Sequence, residues 1–263
     1  MQLIKLVKYL EKKFPSNKAE EWDKVGFQLF DKKMINFEQE ISNVFITLDL
    51  TSTSFEEIKK TKPNFIITRH PFIFKELDKE KKNPFKKEVI KYLKNNNVLV
   101  FSIHTNYDYC AYQSFIEIAC SDFEVKKIEK PNSQKDFLEI KFKKSLNQNE
   151  LIKKLKKTFE TDDIQISKNI VMQDLIDKIY INQGSGASSI SNNSLSDCTF
   201  VTGEAKWSDW IYANDNNVKL ITVGHYMENY FIQDLNKKLS DNFKDLKIKS
   251  YDITNQYKKY REN

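Results

Sequence analysis

The chain contains three histidines, and each one ends a short apolar run. Phe65-Ile66-Ile67-Thr68 leads through Arg69 to His70 and is stopped by Pro71; residues 98–103 lead to His104; residues 220–223 lead through Gly224 to His225. Short runs of β-branched and aromatic residues bounded by turn residues read as buried strands. In open α/β sheets ligands gather at the carboxyl ends of the strands. Three imidazoles at that edge are therefore a candidate metal or acid–base site.

The 263 residues suffice for a substantial core and for two lobes. Hydrophobic content of 40%, with 19 Phe, argues for a globular protein despite 30% charge. No uncharged apolar run reaches the roughly 18 residues of a membrane span. Lysines at helical spacing interrupt the first eight residues, so no signal peptide is expected and the protein is read as cytoplasmic. Cys110, Cys120 and Cys198 form no CxxC pair and read as reduced, packed thiols. The net charge of +6 comes almost wholly from lysine, the arginines being Arg69 and Arg261. The lysines are mixed with acids along the chain, so the charge gives nucleic-acid binding only weak support.

Read in order, the chain alternates helices and strands. Leu3, Leu6, Val7, Leu10 and Phe14 share one face of a helix over 2–14, which Pro15 ends. A strand at 44–48 ends at Asp49, and Thr51 to Ser54 offer caps to a helix at about 54–60. The strand at 65–68, a lysine-rich loop at 75–87, a helix at 85–94, the strand ending at His104 and a helix at 111–119 follow. This alternation predicts mostly parallel sheets covered by helices. The polar, proline-containing stretch 126–135 is a candidate lobe boundary. It gives a first part of the main α/β lobe at 1–125, a smaller α/β lobe at 126–198, and a second part of the main lobe at 199–263. The Gly184-Ser185-Gly186 turn is read as structural, the Trp207/Trp210 pair as core or subunit interface, and the tail from 250 as polar and frayed.

Five motifs occur in a fixed order: WDKVGF at 22–27, DLTSTSFEE at 49–57, FIITRHPFIF at 65–74, HTNYD at 104–108, and a distal group of GSGASSI at 184–190, TGE at 202–204 and GHY at 224–226. This set resembles the NGG-interacting-factor-like (Nif-three-like) family, whose bacterial members are labelled type 2 GTP cyclohydrolase I, over nearly the whole chain. The resemblance implies a two-lobed Nif-three-like α/β fold, a toroidal homohexamer and divalent metal ions held where the strands end. It makes His70, Asp108 and His225 metal ligands. The family's glutamate four residues after the distal histidine is Asn229 here, with Glu228 one place earlier, and the first of its paired histidines is Arg69. Arginine cannot ligate a metal. Positions 225 and 228 share a helical face, so Glu228 is taken as the replacement ligand.

On this reading one or two ions of zinc, iron or manganese bind per chain. Arg69 and Asn229 then serve a substrate or anion, and His104 is the catalytic acid–base group. The expected function is a metal-dependent hydrolase acting on a nucleotide or other phosphorylated compound through a metal-bound water. Two alternatives stay open: a non-catalytic toroidal binding or regulatory protein with a degenerate metal site, and a nucleic-acid-associated ring.

Overall fold

The computed structural model describes residues 1–130 and 136–258. The second half of the expected lobe boundary, 131–135, lies outside the described residues. In chain order the strands are β1 (Gly26–Phe27), β2 (Asn43–Thr47), β3 (Phe65–Thr68), β4 (Leu99–Ser102), β5 (Val125–Glu129), β6 (Leu138–Asn147), β7 (Gln165–Ile166), β8 (Leu175–Ile181), β9 (Thr199–Thr202), β10 (Lys219–Thr222) and β11 (Lys247–Tyr251). They form two sheets, each in its own compact unit. The first unit comprises 1–112 and 229–253, and the second comprises 113–228 with, among the described residues, 254–258.

The first sheet has the order β1-β4-β3-β2-β11. All its pairings are parallel except β1 with β4. β2, β3 and β4 are buried throughout except for Asn43, which is why they read as continuous apolar runs and not as alternating ones. Phe45, Ile66 and Val100 stand in register on one face. They pack against Phe55 and Ile58 of the helix Ser52–Thr61 and against Val89, Ile90 and Leu93 of the helix Pro84–Asn95. The first of these helices starts where Thr51 Oγ1 accepts from Ser54 N while Ser54 Oγ accepts from Thr51 N. Thr51 and Ser54 thus cap the helix reciprocally, both within the stretch expected to offer caps.

The second sheet has the order β5-β6-β8-β9-β10-β7. It is mixed. Its centre, β8-β9-β10, is parallel, and the flanking pairings are antiparallel. Phe137, Phe200, Val218 and Leu220 form a core there with Ala213. β9 and β10 belong to this sheet. The expected return to the main lobe at 199 therefore occurs at 229, because β9 bonds to β8 instead of to a strand of the first sheet. Residues 250 and 251, where a frayed tail was expected to begin, complete β11 alongside β2 instead. Among the described residues no helix is long and apolar enough to cross a membrane.

Part of the lysine-rich stretch expected to be a loop is a short helix, Leu77–Glu80. Glu80 explains its order. The carboxylate is buried and accepts from Phe74 N at 2.9 Å, Lys75 N at 2.8 Å and Lys86 Nζ at 2.7 Å. Burial alone would raise its pKa, but the hydrogen bonds from Lys86 and the two amides prevail and bring it down to about 2. A carboxyl whose folded pKa lies below its ordinary value of 4.5 adds stability above that value and loses it as pH falls toward 2. Glu80→Gln should therefore cost about 2 kcal/mol at pH 7. In thermal melts of both proteins, the gap in Tm should narrow steadily below about pH 4.5. A gap that stays constant down to pH 2.5 would contradict this origin.

Candidate functional site

In the first unit the site follows from register. Thr47 pairs with Thr68, and Thr68 with Ser102, so three parallel strands end level with one another. The Thr68 and Ser102 hydroxyls lie 2.7 Å apart in the core and close that end of the sheet. Asp49, His70 and His104 each come two residues later and so emerge side by side. Arg69 N donates to Thr47 O and His70 N to Leu48 O, which continues the ladder up to the histidine.

Each histidine of this unit has a carboxylate on Nδ1. His70 Nδ1 is 3.0 Å from Asp49 Oδ2, and His104 Nδ1 is 2.9 Å from Asp23 Oδ1. A carboxylate only accepts, so Nδ1 carries the proton in both rings and the lone pair is on Nε2. The rings meet edge to face with centroids 5.4 Å apart. The Asp23 side chain is sealed from solvent and also accepts from Thr105 N at 3.1 Å and from the Thr105 hydroxyl. Burial pushes its pKa up, but the bonds from His104 and Thr105 outweigh burial and hold it well below the usual carboxylate range. Asp23 and Asp49 were not singled out in the sequence. They lie in the WDKVGF and DLTSTSFEE motifs, and the signal that could have found them is their place at a turn and a strand end in chain order with the histidines.

Arg69, expected to serve a substrate or anion, is buried in the first unit. It is only 1% exposed, the largest fully buried side chain among the described residues. Its guanidinium donates to Asp108 Oδ1 at 2.6 Å and to the His104 carbonyl, and it lies 5.3 Å from the centre of the Tyr107 ring and 5.9 Å from that of Phe231. Asp108, the expected metal ligand, thus serves a buried cation as its counter-ion. Asn229 is also structural. Its Nδ2 donates to Ile253 O at 2.7 Å and its Oδ1 accepts from Ile253 N at 3.1 Å, so both ends of the amide hold the chain after β11.

In the second unit the same strand-end logic recurs. Thr202 pairs with Thr222, and two residues on come Glu204 and Gly224, followed by His225. His225 lies between two carboxylates, with Nδ1 3.1 Å from Glu204 Oε1 and Nε2 3.3 Å from Glu228 Oε2. Glu204 also accepts from the Ser185 hydroxyl. Burial raises its pKa, but the bonds from Ser185 and His225 bring it down on balance, so it is an acceptor. Nδ1 then carries the proton of neutral His225, and the Nε2 lone pair faces the Glu228 carboxylate. Two acceptors at this separation call for a cation or a second proton between them. Adjacent nitrogen and oxygen ligands about 2.1 Å from one divalent ion stand roughly 3 Å apart, so the pair suits metal chelation. Glu204 on the far nitrogen is the carboxylate–histidine arrangement that orients metal-bound imidazoles.

Glu228 is 4% exposed and sits in the 3₁₀ turn His225–Asn229, beside His225 as the spacing suggested. Gly184 makes room for it. A Cβ at that residue would stand 2.6 Å from Glu228 Oε1, at a φ of +52° that favours glycine. Glu204 N donates to Gly184 O at 3.0 Å and fixes this approach. Trp207 is 81% exposed, so it is not core, whereas Trp210 packs against the second unit's core.

The sequence matches the family model described as Duf34/NIF3 (NGG1p interacting factor 3) over residues 1–257. A "GTP cyclohydrolase 1 type 2 homolog" of Campylobacter jejuni is 30% identical over 242 residues, covering 92% of this chain and 93% of the relative. One of the same name from Mycoplasmopsis pulmonis is 29% identical over 240 residues, covering 89% and 92%. Among solved structures, a Bacillus cereus protein related to NIF3 superposes with a TM-score of 0.82 at 14% identity, covering 99% of each chain. That likeness establishes the two-lobed, helix-covered α/β fold.

The burial of Arg69 has a measurable consequence. Arg69→Ala removes the buried guanidinium that donates to Asp108 Oδ1 and to the His104 carbonyl, and hydrogen bonds of a charged group contribute about 1.5–3 kcal/mol. Urea denaturation should report a loss of that size, with an unchanged m-value. A loss below about 1 kcal/mol, the range of exposed pairs, would mean that the guanidinium is not internal.

Proposed function

The chain belongs to the Duf34/NIF3 (NGG1p interacting factor 3) family, and on that footing we propose that it is a divalent-metal-binding protein whose candidate ligands are His225 and Glu228 in the second unit and His70 in the first. The observation that carries this reading is the acceptor pair formed by His225 Nε2 and Glu228, 3.3 Å apart. His70 supports it through its own tautomer, since Asp49 on Nδ1 leaves the Nε2 lone pair to serve as a ligand. Two imidazoles and a carboxylate are a common set for zinc or iron(II) and leave coordination positions open.

The names of the similar relatives, GTP cyclohydrolase 1 type 2 homologs, support a finer reading as a metal-dependent hydrolase of a nucleotide or phosphorylated compound. A divalent ion supplies Lewis acidity and lowers the pKa of water at such a centre. The chain's own residues do the rest. Glu204 and Asp49 orient the ligating rings. His104, its Nδ1 proton held by buried Asp23, offers Nε2 as a proton acceptor in a fixed direction. The expected ring of six chains is part of this reading and is measured by light scattering of the purified protein. A second reading, a binding protein without catalysis, draws support from Arg69, which occupies Asp108 as a counter-ion where the resemblance implied a ligand. Turnover of nucleotides by the metal-loaded protein separates the two.

Elemental mass spectrometry of the untagged protein tests the centre itself. The wild type should carry about one ion per chain, and His225→Ala, Glu228→Gln and His70→Ala should each lose it. No metal in the wild type, after incubation with zinc, manganese and iron(II) in turn, would refute the reading. Loss in His225→Ala but full retention in His70→Ala would confine the ion to the second unit and remove His70 from its ligands.

A further inference from the structure

Large aromatic side chains at a surface usually lie flat against the core or point singly into solvent. Trp22 and Phe74 do neither. Trp22 is 56% exposed and Phe74 41%, yet the two rings stack on each other, with centroids 6.2 Å apart and planes 24° from parallel. The indole also meets the His104 ring edge to face at 5.8 Å, and His104 meets His70 at 5.4 Å. Within the first unit, the four rings form a continuous row that leads from the two carboxylate-held histidines out to an exposed π-surface.

The backbone under this row is fixed from both sides. The turn that carries Trp22 is closed by Asp23 N donating to Glu20 O at 3.0 Å, and Glu20 N donates to the Thr105 hydroxyl at 2.9 Å. Asp23, the next residue, has its carboxylate locked by His104 and Thr105. The same buried group therefore orients His104 and positions Trp22. Phe74 is held by Glu80, which accepts from its amide. Neither ring needs to be ordered when a ligand arrives, which removes one of the ordinary costs of binding.

We propose that Trp22 and Phe74 form a stacking subsite that takes the planar heteroaromatic part of the substrate, a nucleobase in chemical class, and presents it to His104. The proposal rests on the reading above, in which the substrate is a nucleotide or other phosphorylated compound. Flat π-surfaces on tryptophan accept any planar base, so the subsite selects for an aromatic ring and not for a particular purine or pyrimidine. It also gives the chain a way to hold a nucleotide that does not involve Arg69, which is committed to Asp108.

The test is calorimetric titration of the full chain with GTP and, separately, with inorganic tripolyphosphate, which has the anion but no ring. Three proteins are compared, the wild type, Trp22→Ala and Trp22→Phe, each checked for its metal content. Losing one base–aromatic stack should weaken GTP binding about tenfold or more in Trp22→Ala. Trp22→Phe should stay close to the wild type, and tripolyphosphate affinity should be equal in all three. The proposal is overturned if Trp22→Ala binds GTP as the wild type does, if it loses GTP and tripolyphosphate equally, or if the wild type binds GTP no more tightly than tripolyphosphate. Failure of the metal reading looks different. There the protein holds no ion, yet Trp22→Ala still loses GTP selectively.

Discussion

The arrangement depends on level, in-register parallel pairing. Thr47, Thr68 and Ser102 end three neighbouring strands at one height, and Thr202 and Thr222 do the same in the other sheet. Strands about 4.8 Å apart then deliver the residues beyond them as neighbours, at the spacing of side chains that touch. Asp49, His70 and His104 meet for this reason, and so do Gly184, Glu204 and Gly224. A slip of one residue would turn each of these side chains to the opposite face of its sheet. The buried hydroxyl pair of Thr68 and Ser102 makes such a slip costly, because a displaced hydroxyl would lose its partner in the core.

Electrostatics then divides the polar residues into two kinds. Asp23, Asp49 and Glu204 each accept a hydrogen bond from Nδ1 of a histidine and so fix where the lone pair of that ring lies. Arg69 and Asp108 neutralise each other within the first unit, and the aromatic faces of Tyr107 and Phe231 line the guanidinium. A dication and a buried guanidinium would repel each other strongly at short range. Holding the arginine against its own carboxylate offsets its charge within the first unit.

Much of this was legible in the sequence, and the reasons are specific. Continuous apolar runs at 65–68 and 220–222 announced central parallel strands, and the histidines after them announced the site. The three-residue spacing of His225 and Glu228 announced their adjacency. The burial of Arg69 was not legible, because a lone arginine beside a histidine looks like a ligand-binding group. Nothing local reveals that Tyr107 and Phe231, 38 and 162 positions away, enclose it. The lobe boundary at 199 was misplaced for a similar reason. The pairing of β9 with β8 is a tertiary choice that no local run of residues announces. The two-residue strand β1 has no periodicity to read, although it sets the edge of the first sheet and follows the turn that carries Trp22.

The central claim is that His225 Nε2 and Glu228 face each other because a cation belongs between them. Anomalous diffraction at the zinc edge, from crystals grown with zinc, tests it most directly. The account predicts a strong peak within bonding distance of both His225 Nε2 and a Glu228 carboxylate oxygen. Zinc seated only at surface carboxylates or cysteines, with the His225–Glu228 pair bridged by nothing but a proton, would contradict it.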